Sequence, residues 1–174
     1  MGREIRRVPP NWGHPRYTKD NASNSRDVGE YMPMYDQTYE DARKEWLDGF
    51  ALWQLGQHPE QIKYPEDSWI KGRDWWEYSS PPDREMYRPT FTEEPTWFQV
   101  YQTVSEGSPV TPPFATREEL VEYLVKHGDF WAQRRGTGGC SRKAAEAFVM
   151  EDGWVPSMIV ENGKITEGIE IAGR

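Results

Sequence analysis

The segment with the clearest capacity for chemistry is a glycine-rich stretch ahead of a predicted helix, Arg134-Arg-Gly-Thr-Gly-Gly-Cys-Ser-Arg-Lys143. Glycines let backbone amides converge on an anion, and a helix N-terminus adds a partial positive charge. The pattern predicts a phosphate or nucleotide site formed by Arg134, Arg135, Gly136, Gly138, Gly139, Ser141, Arg142 and Lys143. The stretch lacks the G-x-x-x-x-G-K-[ST] spacing of a P-loop, and no predicted strand precedes it. A flexible turn before a capped helix is therefore the alternative interpretation.

Cys140 lies within the same stretch and is the only cysteine of the chain. A helix N-terminus beside basic side chains lowers a thiol pKa, so the sequence predicts a lowered pKa for Cys140. A nucleophile also needs a base, and no motif brings His127, the nearest histidine in sequence, to this thiol. One cysteine and three widely spaced histidines do not match a zinc site. We therefore predict no catalytic residue, no metal and no cofactor.

A second group of interest is aromatic. Trp69, Trp75, Trp76 and Tyr78 lie close together in the sequence, and Trp and Tyr dominate the energetics of protein interfaces. If Trp75 and Trp76 were neighbours in a strand, they would face opposite sides, and one of them could be exposed. These four residues are the candidates for a partner-binding surface, with core packing as the alternative.

The composition indicates a folded protein whose core is built largely from rings. The 174 residues include nine Trp, nine Tyr and six Phe, whereas Leu, Ile, Val and Phe together number only 28. Each large ring can bury about 150–250 Å² of surface. Fourteen Pro and fifteen Gly predict long irregular connections.

The net charge of −8 is concentrated in the middle of the chain, because residues 36–129 hold nineteen acidic and nine basic side chains. Such a surface does not suit the phosphate backbone of nucleic acids, and it favours a basic protein partner. The alternative is that the acidic groups only keep an aromatic-rich protein soluble. No segment approaches the ~20 apolar residues of a membrane span, and the N-terminus lacks the apolar core of a signal peptide.

One long amphipathic helix is predicted after residue 37. Thr38 or Asp36 can cap its N-terminus, and Gly56 can end it in the left-handed conformation. Gly49 lies inside this helix, where glycine costs about 1 kcal/mol relative to alanine. We therefore expect another part of the protein to pack closely against Gly49.

Three further helices are predicted in the second half. Pro95 can occupy the first turn of a helix that runs to about residue 105. The capping box of Thr116 and Glu119 begins the next helix, which ends at Gly128. The last begins at Ser141 and ends near Met150.

These patterns predict an α+β protein with about four helices, long Pro-rich loops and a C-terminal β-hairpin. The hairpin turn is predicted at Asn162-Gly163, between two β-rich runs. Residues 58–95 show little regular pattern beyond WIKGRDWWEY, which predicts a short strand and turn or a pair of strands. We expect a loop-rich N-terminal arm, residues 1–37, followed by a single globular domain, residues 38–174.

Three segments resemble a family of small proteins from tailed bacteriophages and prophages. They are VPPNWGHP at residues 8–15, TWFQVYQTVSEGSPVTPPFATREELVEYLVKHG at 96–128 and GWVPSM at 153–158. Members similarly have an Arg-rich V-P-x-x-W-x-H-P arm and an S-E-G-[ST]-P-x-[ST]-P segment before a capped helix. The resemblance implies a source and carries over no activity and no catalytic residue.

Together these observations predict a non-enzymatic phage accessory protein of the host cytoplasm. It would bind a host or phage macromolecule, most simply a protein, and could act as an inhibitor of host defence. One alternative is a phosphate- or nucleotide-binding protein that uses residues 134–143. Another is a virion or assembly component.

Overall fold

A computed structural model describes residues 2–103, 106–151, 153–161 and 163–173. The chain divides into two compact units: unit 1 comprises Met1–Met34 and Phe91–Arg174, and unit 2 comprises Tyr35–Thr90. Both helices and antiparallel sheets are present, and the predicted α+β class is confirmed.

The described elements follow one another along the chain as eight strands and seven helices. The strands are β1 (Gly2–Val8), β2 (Tyr35–Thr38), β3 (Tyr87–Arg88), β4 (Trp97–Thr103), β5 (Gly107–Pro109), β6 (Val155–Pro156), β7 (Met158–Glu161) and β8 (Lys164–Glu167). The helices are α1 (Tyr39–Gln54), α2 (Pro59–Lys63), α3 (Trp75–Tyr78), α4 (Arg117–His127), α5 (Phe130–Arg135), α6 (Arg142–Met150) and α7 (Gly168–Ala172). A 3₁₀ turn, Arg84–Met86, precedes β3.

The N-terminal strand β1 is an inner strand of the main sheet, whose order is β5-β4-β1-β6. It pairs antiparallel with β4 along its whole length, from Gly2 opposite Thr103 to Val8 opposite Trp97. The sequence predicts a loop-rich arm here, whereas the structure forms a strand. The sequence of β1 does not show the alternation of apolar and polar residues typical of a strand, because three of its seven residues are arginines. Two of these arginines are nevertheless buried, and each forms an ion pair: Arg3 with Asp129 at 2.5 Å and Arg6 with Glu4 at 2.6 Å.

The helix predicted over residues 95–105 is wrong, because this segment forms β4. Phe98 and Val100 lie on one side of the strand and join the helical core, while Gln99 and Tyr101 are buried on the other side. The sequence of a strand that is buried on both faces is a continuous run of mostly apolar residues. The spacing of apolar residues in such a run does not distinguish a strand from a helix. Val104, assigned to the predicted helix, lies outside the described residues.

Helices α4 and α6 pack against one face of this sheet and against each other. Their buried residues include Leu120, Leu124, Phe148 and Val149, each without measurable exposure. The predicted capping box of α4 is present, with the Thr116 hydroxyl accepting from the Glu119 amide at 3.1 Å. Strands β7 and β8 form the predicted C-terminal hairpin. Asn162 of its predicted turn lies outside the described residues.

The opposite face of the sheet is covered by the segment that follows β1. Trp12 Nε1 and His14 Nδ1 both contact the Tyr101 hydroxyl, at 3.3 and 3.1 Å. His14 Nε2 lies 2.7 Å from the Met32 carbonyl oxygen, which can only accept. Burial lowers the pKa of His14, and the Met32 hydrogen bond opposes this shift. Trp12 and His14 of the V-P-x-x-W-x-H-P motif therefore hold this segment on the sheet.

Unit 2 is organised by α1, which Thr38 caps by accepting from the Asp41 amide at 3.2 Å. The helix ends at Gln54, and Gly56 has a φ of +67°, as predicted. The strand predicted in WIKGRDWWEY is wrong: Trp75–Tyr78 forms the short helix α3. Asp74 precedes α3 as its N-terminal cap, and its amide donates to Glu77 at 3.1 Å.

Candidate functional site

Unit 2 contains a cluster of aromatic rings between α1 and α3. Trp53 stacks on Tyr78 with ring centroids 4.7 Å apart, and Trp75 lies 5.4 Å from Trp53 and 5.2 Å from His58. Trp46 and Phe50 pack at the edge of this cluster. The apolar spacing of α1 positions these rings, because residues 46, 50 and 53 lie on one helical face.

Trp75 belongs to this core, with only 5% of its surface exposed. Trp75 is one of the four residues predicted to contact a partner, but the structure leaves no face of it free for a partner. A β-carbon on Gly49 would lie 2.7 Å from Trp75 Cζ2, which confirms the expected close packing at this glycine. The indole Nε1 of Trp75 is buried without a hydrogen-bond partner among the described residues.

The other three predicted contact residues are exposed. Trp69 is 68% exposed and Trp76 is 54% exposed, while Tyr78 shows one edge of the ring that stacks on Trp53. Arg73 lies over the Trp69 ring at 4.6 Å. Desolvation, followed by the nearby Glu60 carboxylate, raises the pKa of Tyr78 above its usual value. Two large indoles are thus presented to solvent next to a well-packed ring cluster.

Unit 2 also exposes aliphatic side chains. Leu47, Ala51 and Leu55 recur at intervals of four residues along and just beyond α1, away from the ring cluster. Unit 2 accounts for 56 of 174 residues but for eight of the fifteen large apolar side chains found exposed among the described residues. These eight are Leu47, Leu52, Leu55, Ile62, Tyr64, Trp69, Trp76 and Tyr78. We call them the unit 2 apolar surface.

This surface lies in an acidic setting. Residues 35–90 include twelve acidic and seven basic side chains, a net charge of −5. Several of the basic groups are already paired, among them Lys71 with Glu66 at 2.5 Å and Arg88 with Asp36 at 3.0 Å. The combination of exposed indoles and uncompensated carboxylates suits an apolar partner surface with a basic rim.

The glycine-rich loop of unit 1 owes its glycines to its backbone. Gly136 and Gly138 have φ values of +69° and +77°, a region that other residues rarely adopt. A β-carbon on Gly139 would collide with the Val125 carbonyl of α4. The next amide, that of Cys140, donates to the Leu124 carbonyl at 3.1 Å. These glycines allow the loop to lie against the end of α4.

Carboxylates of the same chain occupy several donors of this loop. Arg135 binds Glu167 through two nitrogens, and Arg142 binds Glu122 at 2.6 Å. The amide and hydroxyl of Ser141 donate to Glu170 at 2.5 and 2.9 Å. Lys143 is exposed in the first turn of α6, and Arg134 lies over the Trp131 ring at 5.8 Å. The anion site predicted for this loop stays a prediction.

Cys140 is half-buried in a small cavity of about 150 Å³ that Glu167, Glu170 and Asp129 also line. Burial, reinforced by the charge of Glu170, raises the pKa of its thiol to about 11. The lowered pKa inferred from the sequence is therefore wrong. Arg135 and Arg142 bind carboxylates, and the charges that act on the thiol, those of Glu170 and Asp129, are negative.

Arg134 lines a larger cavity of unit 1 that the sequence analysis did not anticipate. Its walls come from three separated stretches, represented by Arg16 and Tyr31, by Gln102 and Thr111, and by Trp131 and Arg134. These stretches lie far apart in the sequence and share no motif, so the cavity could not have been predicted from the sequence.

Comparisons with protein-family models, with curated proteins and with solved structures give no match. Among the described residues, no helix is long and apolar enough to cross a membrane, and no group of three or more His, Cys, Asp or Glu side chains could hold a metal ion.

Proposed function

We propose that this protein acts by binding another protein through the unit 2 apolar surface. The observation that carries the proposal is the exposure of Trp69 and Trp76, at 68% and 54%, beside a packed ring cluster. Trp is the residue most enriched at interface hot spots, where burying one ring can contribute 2 kcal/mol or more. Contiguous exposed apolar surface marks interaction sites, and two exposed indoles close together in the chain are candidates for such a site.

The charge of unit 2 favours a protein with a basic rim over a nucleic acid. A net charge of −5 over residues 35–90 repels phosphates and attracts Lys and Arg side chains. Rim charges mainly raise the association rate and act over about 10 Å at 0.1 M salt. The association rate constant should therefore fall as salt is added.

The resemblance to phage and prophage proteins supports a role as a phage accessory protein in the host cytoplasm. The partner would then be a host or phage protein, and inhibition of a host defence protein is one form that such binding can take. The alternative, a virion or assembly component, would use the same surface. It differs from the accessory role because it requires the protein to be present stoichiometrically in purified particles.

The test begins with the tagged protein as bait in lysate from phage-infected host cells, with mass spectrometry to identify a stoichiometric partner. The double variant Trp69→Ala/Trp76→Ala is compared with the wild type and with Trp154→Ala, which removes an equally exposed indole from unit 1. We expect the double variant to lose the partner and Trp154→Ala to retain it. Calorimetry with the purified partner should show a loss of affinity of about 30-fold or more.

Two outcomes would contradict the proposal: capture of no stoichiometric partner by the wild type, or equal capture by the wild type and the double variant. Near-ultraviolet circular dichroism of each variant verifies that the ring cluster remains folded. Detection of the protein in purified particles would assign the surface to assembly.

A further inference from the structure

Unit 1 contains a cavity of about 440 Å³ beside the edge strand β5. Pockets that bind small molecules commonly measure roughly 300–1,000 Å³. The cavity is lined by Ser108–Thr111 on one side, by α5 on another and by Arg16, Glu30 and Tyr31 on a third. It does not involve unit 2, so its role is independent of the proposed protein-binding surface.

Aromatic rings form one part of the wall, and packing holds them in place. Trp131 and Phe130 meet edge to face with centroids 5.2 Å apart. The Trp131 indole donates to the Gln102 side-chain oxygen at 2.7 Å, which fixes the orientation of the ring. The Tyr31 ring, which also lines the cavity, contacts Arg16 at 3.6 Å and His14 at 5.6 Å. Such fixed rings can stack on a planar ligand.

Two guanidinium groups supply positive charge at the same cavity. Neither Arg16 nor Arg134 has a carboxylate within ion-pairing distance among the described residues, whereas Arg3, Arg135 and Arg142 of unit 1 are all paired with carboxylates. Arg16 uses one nitrogen for the Gly29 carbonyl at 2.6 Å, which anchors its side chain. With Glu30 as the one acidic side chain of the lining, the wall carries a net charge of +1 in a protein whose net charge is −8.

Neutral hydrogen-bonding groups complete the lining. The side-chain amide of Gln102 donates to the Ser108 hydroxyl at 2.7 Å, and that of Gln133 donates to the Tyr123 hydroxyl at 3.0 Å. The Gln133 amide nitrogen also donates to the Gly128 carbonyl at 3.2 Å. The hydroxyls of Ser108 and Tyr123 and the side-chain oxygen of Gln133 are therefore the groups with capacity for the edge of a base or the hydroxyls of a sugar. Glu30 adds an acceptor of the kind that binds ribose hydroxyls in other nucleotide sites.

We propose that this cavity binds a nucleoside monophosphate, with the base against the rings of Phe130 and Trp131 and the phosphate between the guanidinium groups of Arg16 and Arg134. Rings, neutral polar groups and cations occur together in this one cavity, and a mononucleotide presents a matching base, sugar and phosphate. A nucleic acid strand is disfavoured because it needs an extended basic surface, which a chain with a net charge of −8 does not supply. This site differs from the one predicted for residues 134–143 and shares only Arg134 with it.

The test is isothermal titration calorimetry of the full-length protein with adenosine, guanosine, cytidine and uridine 5′-monophosphates at millimolar concentrations. We expect saturable binding of at least one of them. The corresponding nucleoside and inorganic phosphate should each bind at least tenfold more weakly, because each lacks one half of the recognised structure. Saturation by none of the four would overturn the proposal. So would inorganic phosphate binding as tightly as the best nucleotide.

Variants then locate the site. Arg16→Gln and Arg134→Gln should each reduce nucleotide affinity by about tenfold or more, since each removes a charge-assisted contact to phosphate. Arg26→Gln removes an exposed arginine of unit 1 that does not line the cavity and should bind like the wild type. Equal affinity for all three variants would overturn the assignment. If Arg16→Gln loses nucleotide binding but still binds the protein partner, the nucleotide site and the unit 2 apolar surface are independent.

Discussion

At the scale of single residues, the environment of a charged or polar group depends on partners that are distant in the chain. Ser141 and Arg142 are adjacent in the sequence, but they contact Glu170 and Glu122, which approach from opposite directions along the chain. The sequence shows which side chains are cations and hydrogen-bond donors, but it does not show their partners. Only the packing of α4, α6 and α7 determines which of these groups bind carboxylates of the same chain and which line the cavity.

Cys140 illustrates the same dependence and provides a test. Because burial and Glu170 raise its pKa to about 11, the thiol is almost fully protonated at neutral pH. We expect its alkylation by iodoacetamide to be slow at pH 7 and to rise roughly tenfold per pH unit up to pH 10 without reaching a plateau, since only the thiolate reacts. Mass spectrometry of quenched samples measures the rate.

Urea-unfolded protein is the reference for this measurement, because its thiol should titrate near the ordinary value of about 8.5. Glu170→Gln should shift the folded-state profile toward lower pH, as it removes the second cause of the raised pKa. A folded-state plateau below pH 9 would show that the thiol is not buried as described.

Among helices and strands, those with strong local signals were predicted well, including α1, α4 and the β7–β8 hairpin, whereas β1 and β4 were not. Thr38 and Thr116 cap α1 and α4 as predicted, because capping depends on residues three or four positions apart. Helix α6 also begins next to Ser141, although the Ser141 side chain does not cap it. The nature of β4 depends instead on pairing with β1 across some ninety residues. Trp97 and Tyr101 have helical spacing, and that local pattern could not reveal the partner strand.

Gly49 allows the contact between α1 and α3 to be tested. In an ordinary helix, Gly→Ala stabilises by about 1 kcal/mol. Here the new methyl group would meet the Trp75 ring at 2.7 Å, so we expect Gly49→Ala to lower the free energy of unfolding by about 1–3 kcal/mol. Denaturant unfolding followed by tryptophan fluorescence measures the change.

Ala51→Gly is the matched control, because residue 51 is exposed on the same helix. It should cost about 1 kcal/mol through helix propensity alone. In a Trp75→Leu background, Gly49→Ala should be tolerated, since the clashing part of the indole is gone. Stabilisation by Gly49→Ala in the wild type would contradict the close packing of α1 and α3.

For the molecule as a whole, the strand Gly2–Val8 is essential to the main sheet, and its sequence does not indicate this. Strand β1 lies between β4 and β6, and Arg3 reaches the buried Asp129. A loop-rich arm could be removed with little consequence, whereas an inner strand could not. The effect of removing this segment therefore distinguishes the predicted arm from the observed inner strand.

Deleting Gly2–Val8 should therefore unfold unit 1, because it exposes both neighbouring strands and leaves Asp129 buried without its cation. We expect loss of the near-ultraviolet circular dichroism signal from the tryptophans of unit 1. Inserting two glycines after Ser23 is the control, since this polar stretch is exposed and should tolerate the change. A folded unit 1 in the deletion variant would contradict the inner position of β1.

The α+β class, the capped helices α1 and α4, the position of α6, the C-terminal hairpin and the close approach at Gly49 were all predictable from the sequence. Each depends on residues close together in the chain or on the cost of a single residue type. The tertiary structure alone decided that Trp75 is buried while Trp76 is exposed, that β1 lies inside the sheet, and that Arg16 and Arg134 line one cavity. These outcomes required the tertiary structure because they depend on contacts between segments far apart in the sequence, whose pairing no local pattern specifies.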